Sequence, residues 1–261
     1  MFDFHMHSTV SFDGHDTPEA MVRSAEQMGL REICFTDHMD HIPGSEDKSM
    51  LFDAAEYALA YDKLTSPILR IRRGMEFGMT PDNQTLLRQD LAQRDYDFVL
   101  GSVHFVDGAD VYYRAYWEDK TYAQAVSRFL EGTLETVRAQ DDFDVLAHLT
   151  FLSKARANPL HAVLRYEDHR EIADEILRTL AAKGKGLELN TSGVDRCGDY
   201  LPPAAYFRRF RELGGEIVTI GSDAHTASRV GQYSREAAGL LKDIFGYVCT
   251  FENRRPVFHR L

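Results

Sequence analysis

Short apolar runs alternate with longer stretches in which apolar residues recur every three or four positions, and the alternation repeats seven times along the chain. Short runs bounded by turn residues are typical of buried strands, whereas the longer periodic stretches are typical of amphipathic helices. The pattern predicts strands at residues 2–5, 32–36, 68–73, 98–103, 144–147, 186–189 and 216–220. It predicts helices at about residues 17–28, 122–139, 169–182 and 204–213.

Strands that alternate with helices predict a parallel sheet, because parallel neighbours need a crossover between them. Seven such units predict that the sheet closes into an α/β barrel of the TIM type rather than staying open. No linker, low-complexity segment or internal repeat interrupts the pattern. We therefore expect one domain over residues 1–261.

Composition narrows the class of protein. The chain has 261 residues, of which 44% are hydrophobic, and this is enough for a sizeable core. No apolar run reaches the roughly 20 residues of a membrane helix, and the N-terminus lacks a basic leader, so we expect no membrane partner and a cytoplasmic location. A net charge of −11 argues against a nucleic-acid partner, since that affinity comes from clustered Lys and Arg.

Side chains that bind metals follow the C-terminal ends of most predicted strands. His5 and His7 are two positions apart, so a strand directs both to one face. Further metal-binding side chains follow later strands: His38, Glu76, His104, His148 and Asp223. Because the C-terminal ends of parallel barrel strands converge, these residues are predicted to share one mouth, where barrel enzymes carry their chemistry.

Imidazoles and carboxylates without cysteine indicate Zn, Mn or Fe rather than a structural thiolate site. The candidate ligands are too many for one ion, which predicts two or three divalent ions. Ions about 3.5–4 Å apart stabilise an in-line displacement at phosphorus. The implied chemistry is phosphoester hydrolysis.

Six motifs carry a resemblance to a known family. They are His5-Met6-His7, Thr36-Asp37-His38, Gly74-Met75-Glu76, Gly101-Ser102-Val103-His104, Ala147-His148 and Gly221-Ser222-Asp223-Ala224-His225. In order and type they resemble the PHP (polymerase and histidinol phosphatase) superfamily. The resemblance implies a distorted (β/α)7 barrel with a trinuclear metal site, and it is strongest to the stand-alone histidinol-phosphate phosphatases of histidine biosynthesis.

The resemblance also implies a ligand set, carried over position by position. The metal ligands it implies are His5, His7, His38, Glu76, His104, His148, Asp223 and His225. A ninth ligand falls at Asp13, with His15 as the alternative, and His15 is otherwise interpreted as a loop residue near the substrate. Glu76 is expected to bridge two ions, and Glu76, Asp223 and His225 are the expected catalytic residues.

A phosphate monoester also needs basic side chains, because guanidinium and ammonium groups donate to its oxygens. The candidates in loops after strands are Lys154, Arg156, Arg196 and Arg229, and His41 is a further candidate near the mouth. His161, His169 and His259 match no motif and are interpreted as surface or helix-start residues. Asp37 has two readings, a hydrogen bond that orients a ligand or ordinary turn chemistry.

The loop after His104 is rich in aromatic residues, with Tyr112, Tyr113, Tyr116 and Trp117. It either packs against the protein or forms a wall over the substrate, and the sequence leaves both open.

The expected function is hydrolysis of L-histidinol phosphate to L-histidinol and phosphate, with a metal-bridging hydroxide attacking phosphorus. The alternative within the same chemistry is another phosphate, such as a nucleoside monophosphate or a short oligonucleotide. The alternative of another class is a non-catalytic metal-binding domain. The sequence leaves the metal's identity and the oligomeric state open.

Overall fold

The structure is a computed structural model that describes residues 1–160 and 162–261. The surface position expected for His161 lies outside the described residues. Its strands are, in chain order, β1 (Phe2–Asp3), β2 (Glu32–Phe35), β3 (His38–Met39), β4 (Arg70–Gly78), β5 (Phe98–Ser102), β6 (Phe105–Val106), β7 (Ala109–Asp110), β8 (Val145–Leu146), β9 (Gly186–Asn190), β10 (Val218–Gly221), β11 (Tyr247–Glu252) and β12 (Arg255–Arg260).

The helices lie mostly between the strands of the barrel. They are α1 (Pro18–Gln27), α2 (Ala54–Tyr61), α3 (Gln84–Leu91), α4 (Arg114–Trp117), α5 (Tyr122–Ala139), α6 (Arg170–Ala182), α7 (Gly193–Cys197), α8 (Ala204–Glu212) and α9 (Ser234–Ile244). Within the described residues, we find no helix with both the length and the apolar character that crossing a membrane requires.

Seven parallel strands form the barrel in the order β1, β2, β4, β5, β8, β9, β10, and β3 pairs with the C-terminal part of β4. The two ends of this sheet meet. The Phe4 N–H donates to the carbonyl of Ile220 at 2.8 Å, and Asp3 accepts hydrogen bonds from the backbone and hydroxyl of Ser222 at 2.8 and 2.5 Å. The predicted distorted (β/α)7 barrel is confirmed.

Local sequence signals explain the helices that were predicted. Helix α5 has the predicted bounds, and it begins with a capping box in which Thr121 and Gln124 bond each other's backbone N–H groups. Helix α1 begins after Thr17, whose hydroxyl accepts from the Ala20 N–H at 3.3 Å.

The third predicted strand is too short. Its end was expected at Arg73, but β4 continues to Gly78. Gly74 does not form a turn. It allows the backbones of β4 and β5 to approach closely, since a Cβ at this position would lie 2.7 Å from the Phe98 carbonyl oxygen. Glu76 therefore lies inside a strand rather than after one.

Two hairpins lie outside the seven predicted strand and helix units. Strands β6 and β7 are joined by Asp107 and Gly108, both with positive φ, which is the backbone of a tight hairpin turn. Strands β11 and β12 form a second hairpin. Its turn residue Arg254 bonds Asp144 at 2.5 Å, at the N-terminal end of the barrel.

The core runs through the barrel to this hairpin. The rings of Phe4 and Phe98 are 5.7 Å apart, and those of Phe98 and Phe251 are 4.8 Å apart. Aromatic side chains thus fill the N-terminal end of the barrel, and the predicted ligands lie at the opposite end.

Candidate metal centre

A cavity of about 730 Å³ opens at the C-terminal ends of the barrel strands. Seven of the nine predicted ligands line it: Asp13, His38, Glu76, His104, His148, Asp223 and His225. The other two, His5 and His7, are fully buried beneath these residues. The structure thus brings together all nine predicted ligands.

Glu76 lies at the centre of this group, and its two carboxylate oxygens face different imidazoles. Oε2 lies 3.3 Å from His5 Nε2, 3.4 Å from His7 Nε2 and 3.2 Å from His38 Nδ1. Oε1 lies 2.8 Å from His148 Nε2. A carboxylate with imidazoles on both oxygens has the arrangement that bridging two ions requires.

The oxygen of Glu76 that faces three imidazoles does not form hydrogen bonds with them. Among the described residues, four buried polar atoms of this region lack a hydrogen-bond partner: Asp13 Oδ1, His38 Nδ1, Asp40 Oδ1 and Glu76 Oε2. Buried polar atoms are normally paired. Among these atoms, Glu76 Oε2 and His38 Nδ1 lie 3.2 Å apart without pairing, which is expected of metal ligands because each directs a lone pair at a shared ion.

The ligand atoms fall into four overlapping groups, each lying within 4.8 Å. The groups are His7, Asp13, His38 and His225; His5, Glu76 and His148; His5, His7 and Asp223; and His38, Asp40 and His104. Because residues are shared between groups, the arrangement suits neighbouring ions rather than one isolated ion. The nitrogen and oxygen donors match divalent Zn, Mn or Fe.

Oxygen atoms behind the imidazoles fix their orientation. His5 Nδ1 lies 2.7 Å from Glu188 Oε1, and His104 Nδ1 lies 2.8 Å from Asp40 Oδ2. His225 Nδ1 lies 2.9 Å from its acceptor, the carbonyl oxygen of Asp223. In each case Nδ1–H donates away from the centre and Nε2 faces it, which is the arrangement that holds metal-binding histidines in one tautomer.

Sequence reasoning gave no role to two of these residues. Asp40 lies two positions after His38, so the period of a strand was a usable signal for it. Glu188 is a charged residue between Leu187 and Leu189 of β9, and it is fully buried. A charge at such a position indicates a polar partner inside the barrel.

Burial and charge act in opposite directions on two of the imidazoles. Burial lowers the pKa of His5, but the carboxylates of Glu188 and Glu76 outweigh it and raise the pKa well above its ordinary value. Burial also lowers the pKa of His104, and Asp40 and Glu76 raise it to about 10. These imidazoles therefore sit in a strongly negative field, which also attracts cations.

His7 has the opposite shift. Burial lowers its pKa, and the neighbouring imidazoles of His225 and His38 lower it further, to about 3. A neutral imidazole at physiological pH has a lone pair available for a metal.

The Asp37 carboxylate lies behind the centre, and both of its hydrogen bonds within the described residues go to groups other than the predicted ligands. Its carboxylate accepts from the Ser8 N–H at 2.8 Å and from the Tyr61 hydroxyl at 2.5 Å. Burial raises the pKa of Asp37 to about 6. Asp37 therefore holds the loop after β1 in place. This role differs both from orienting a ligand and from ordinary turn chemistry, the two roles considered from the sequence.

The predicted substrate contacts divide into two groups. His15, Lys154, Arg196 and Arg229 line the cavity. His41 does not, because its Nε2 contacts Asp90 Oδ2 at 2.8 Å and its ring packs near Phe77. Arg156 is exposed and also lies outside the cavity lining.

The aromatic loop divides in the same way. Tyr112 and Tyr113 line the cavity. The hydroxyl of Tyr116 donates to the Ala125 carbonyl at 2.6 Å, and Trp117 Nε1 donates to the Val111 carbonyl at 3.0 Å. Tyr112 and Tyr113 therefore form part of the cavity wall, whereas Tyr116 and Trp117 pack against the protein.

Comparison with known proteins supports the motif assignment. Residues 3–192 match the model of the PHP domain. The histidinol-phosphatase of Lactococcus lactis subsp. lactis is 30% identical over 260 residues, which cover 97% of this chain and 95% of that protein. A probable histidinol-phosphatase of Clostridium acetobutylicum is 26% identical over 262 residues, covering 99% of this chain and 96% of that protein.

Among solved structures, a crystal structure of histidinol phosphate phosphatase from Lactococcus lactis subsp. lactis is similar over 98% of both chains. That protein was crystallised as a complex with zinc, L-histidinol and phosphate. The TM-score is 0.86 and the sequence identity is 28%. From the motifs, the barrel and these matches, we conclude that the chain belongs to the PHP domain family.

Proposed function

We propose that this chain is a metal-dependent phosphatase that hydrolyses L-histidinol phosphate to L-histidinol and phosphate. The observation that carries the proposal is the convergence of nine imidazole and carboxylate side chains, with Glu76 among them, at one cavity that also presents basic side chains. The histidinol-phosphatase relatives cover nearly the whole chain, which supports the choice of substrate.

The proposed metal ligands are His5, His7, Asp13, His38, Glu76, His104, His148, Asp223 and His225. When bound, two or three divalent ions supply a nucleophile at neutral pH and polarise the phosphoryl oxygens. Asp13 is preferred to His15 as a ligand, since Asp13 Oδ2 lies 3.1 Å from His225 Nε2 and 3.5 Å from His38 Nε2. His15 is exposed on the cavity wall, which supports a role near the substrate.

The basic side chains of the cavity are proposed to hold the phosphate. Lys154 contacts the Asp223 carboxylate and lies 2.9 Å from the Ser192 hydroxyl, so its ammonium group is held beside a proposed ligand. Arg196 also lines the cavity. Together they neutralise phosphate charge and orient the ester for displacement.

The part of the chain after the family match supports the interpretation that residues 1–261 form one domain. The match ends at residue 192, yet β10 completes the barrel, and Asp223 and His225 follow it. We propose that both parts fold together as one unit. A cytoplasmic location and the absence of a nucleic-acid partner stay predictions, the second supported by the net charge of −11.

The experiment is a steady-state assay of the protein loaded in turn with Zn, Mn and Fe, with bound metal measured for each sample. The substrates are L-histidinol phosphate, p-nitrophenyl phosphate, a nucleoside monophosphate and a short 5′-phosphorylated oligonucleotide. We expect kcat/KM for L-histidinol phosphate to exceed the others by at least about tenfold. Equal values across the panel would contradict the substrate assignment, and phosphate release from none of them by fully loaded protein would contradict phosphatase activity.

A further inference from the structure

We propose that Asp195 is a positioning residue that holds the guanidinium group of Arg229 at the cavity, and that the Tyr233 hydroxyl holds Asp195 in turn. This inference rests on the proposed function, because it assigns Arg229 to the phosphate group of the substrate. In this assignment Arg229 contacts the phosphate, whereas Asp195 affects substrate binding only through Arg229.

Asp195 accepts hydrogen bonds from three side chains of one loop, the loop that follows β10. Its Oδ2 accepts from Arg229 Nη1 at 2.5 Å and from Gln232 Nε2 at 3.2 Å. Its Oδ1 accepts from the Tyr233 hydroxyl at 2.6 Å. Asp195 itself lies in α7, after the neighbouring strand β9, and both Asp195 and Arg229 line the cavity. These bonds therefore join two adjacent loops of the barrel mouth.

The backbone next to Arg229 is fixed to the barrel. The Gly231 N–H donates to Asp3 Oδ2 at 2.8 Å, and the Gln232 carbonyl oxygen accepts from the Thr191 hydroxyl at 2.7 Å. The freedom that remains at Arg229 is that of its long side chain, which has many rotamers. The carboxylate of Asp195 restricts that freedom.

Tyr233 has a backbone conformation that a bulky residue seldom adopts, with φ at +58°. It precedes the first residue of α9, and its side chain forms no hydrogen bond that caps this helix. Glycine or asparagine would adopt the conformation at less cost, so the backbone does not explain a tyrosine here. The bond to Asp195 does. Tyr233 and then Arg229 lower the pKa of Asp195, so this carboxyl group is charged at neutral pH.

Arg229 has donors left for an anion. A guanidinium group carries five N–H donors. Within the part of the chain that the structure describes, Asp195 is the only acceptor of a hydrogen bond from this group. The Arg229 side chain is 38% exposed at the cavity. A guanidinium group that is held at one nitrogen and open at the others can bind phosphate without leaving its carboxylate partner.

Arg196, the residue after Asp195, provides a contrast. It also lines the cavity, but no hydrogen bond or ion pair with a described residue holds its guanidinium group. An unrestrained side chain loses rotamer freedom when a ligand immobilises it, and this loss weakens binding. Arg229 has already lost that freedom to Asp195, so its contact with phosphate costs less.

The test is a double-mutant cycle on the metal-loaded enzyme with Asp195→Ala, Arg229→Met and the double variant. We expect Arg229→Met to raise KM for phosphate esters by about tenfold, as for the loss of a hydrogen bond to a charged group. Asp195→Ala should raise KM by about three- to tenfold, the cost of immobilising a flexible side chain. In the Arg229→Met background, Asp195→Ala should have no further effect, and kcat should stay within about twofold throughout.

Two outcomes of the cycle would overturn the proposal. Equal effects of Asp195→Ala in the two backgrounds would show that this residue does not act through Arg229. A lower KM in Asp195→Ala would show that its carboxylate only repels the phosphate.

Inhibition constants separate phosphate binding from a general change of the cavity. The Ki of inorganic phosphate should rise in Asp195→Ala as KM does, whereas the Ki of L-histidinol, which has no phosphate, should not change. Tyr233→Phe removes only the hydroxyl and should raise the Ki of phosphate by about two- to tenfold. An unchanged Ki in Tyr233→Phe would exclude this tyrosine, and equal rises for both inhibitors in Asp195→Ala would overturn the role of Asp195.

Asp199→Ala is the matched control. Asp199 follows α7 in the same loop, its carboxylate accepts the Tyr200 N–H at 2.8 Å, and it does not line the cavity. We expect wild-type KM and Ki values in this variant. Equal metal content and thermal stability in Asp195→Ala and Asp199→Ala would exclude a folding defect as the cause of a raised KM.

The role of Asp195 can be tested separately from the choice of substrate. The Ki of inorganic phosphate can be measured with p-nitrophenyl phosphate, and titration calorimetry of the metal-loaded protein with phosphate needs no turnover. Failure of the wild-type enzyme to hydrolyse L-histidinol phosphate would overturn the proposed function. Weaker phosphate binding in Asp195→Ala and Arg229→Met, but not in Asp199→Ala, would still support the role of Asp195.

Discussion

His5 and Glu188 form a buried pair, with Nδ1 of the imidazole 2.7 Å from Oε1 of the carboxylate. The second oxygen of Glu188 accepts the backbone N–H of His148 at 2.8 Å. One carboxylate therefore positions two proposed ligands that follow different barrel strands, β1 and β8. It does so from behind the centre, where it leaves the ligand nitrogen His5 Nε2 facing Glu76 and Asp223.

Replacing Glu188 should weaken metal binding while leaving all nine ligands in place. Removal of such a supporting hydrogen bond typically lowers metal affinity or activity by about 10- to 100-fold. We expect this loss in Glu188→Gln, because a neutral amide no longer favours the Nδ1–H tautomer of His5. Competition with a chelator of known affinity measures the effect.

The control for that variant is Glu32→Gln. Glu32 is also buried, but it pairs with Arg72 at 2.7 Å at the N-terminal end of the barrel. Its metal affinity should equal that of the wild type. Equal affinities in the two variants would contradict the role of Glu188.

Glu76→Ala and Asp223→Ala should each abolish turnover and lose part of the bound metal. Glu76 faces imidazoles on both oxygens, so its loss removes the centre of the ligand set. Metal content by mass spectrometry and phosphate release are the measurements. Full metal content together with full activity in either variant would exclude that residue as a ligand.

Lys154→Met should raise KM for phosphate esters by about tenfold or more, since it removes a charged donor to phosphate. The expectation follows from the position of Nζ, 2.9 Å from Ser192 Oγ on the cavity wall. Lys242→Met, on the exposed face of α9, is the control and should leave KM unchanged. An unchanged KM in Lys154→Met would exclude this residue from phosphate binding.

His41→Asn should leave kcat and KM for L-histidinol phosphate close to the wild-type values. The imidazole of His41 contacts Asp90 and lies outside the cavity lining, in contrast to the substrate role expected from the sequence. The same steady-state assay checks this. A rise in KM without loss of thermal stability would restore the substrate role.

Arg254→Ala should lower the free energy of unfolding by about 1–3 kcal/mol, because it leaves the buried Asp144 carboxylate without its cation. Burial raises the pKa of Asp144, and Arg254 opposes that rise. Removing Arg254 therefore raises the pKa of Asp144 further. The free energy of unfolding of the variant is thus lowered at neutral pH, where this carboxyl group is charged. As the pH falls and this carboxyl group becomes protonated in the folded wild type and the folded variant alike, the penalty shrinks.

Urea denaturation of both proteins at about pH 4.5 and 7.5 measures this difference. The neighbouring Arg255→Ala removes an exposed side chain of β12. It should leave the free energy of unfolding nearly unchanged at both pH values. A penalty in Arg254→Ala that grows as the pH falls would contradict the assigned pairing.

The sequence predicts the barrel and the ligand candidates at strand ends because both depend on local periodicity, whereas Asp13 and His225 were implied by the family resemblance. Strand ends converge in any parallel barrel, so His38, His104 and His148 could be grouped without knowing a single contact. The error in β4 has a local cause as well. The charged pair before Gly74 reads as a strand end, although Arg72 is held by Glu32 from the neighbouring strand.

The parts that sequence reasoning missed depend on contacts between distant residues. Glu188 supports His5 across 183 positions, and Asp40 supports His104 across 64. No pattern within one strand or helix encodes these partners. The position of His41 is decided in the same way, by Asp90 of α3 rather than by its own neighbours in the chain.

The joining of β1 to β10 has a consequence for how the protein reaches its native state. Asp3 and Ser222 are 219 positions apart, and their contact precedes His5 on one side and Asp223 on the other. Contacts of such long range slow folding, because a large chain entropy must be lost before they contribute. The metal centre therefore cannot be assembled on a ribosome until residue 225 has emerged, and a metal ion bound there cross-links the earliest and latest parts of the nascent barrel.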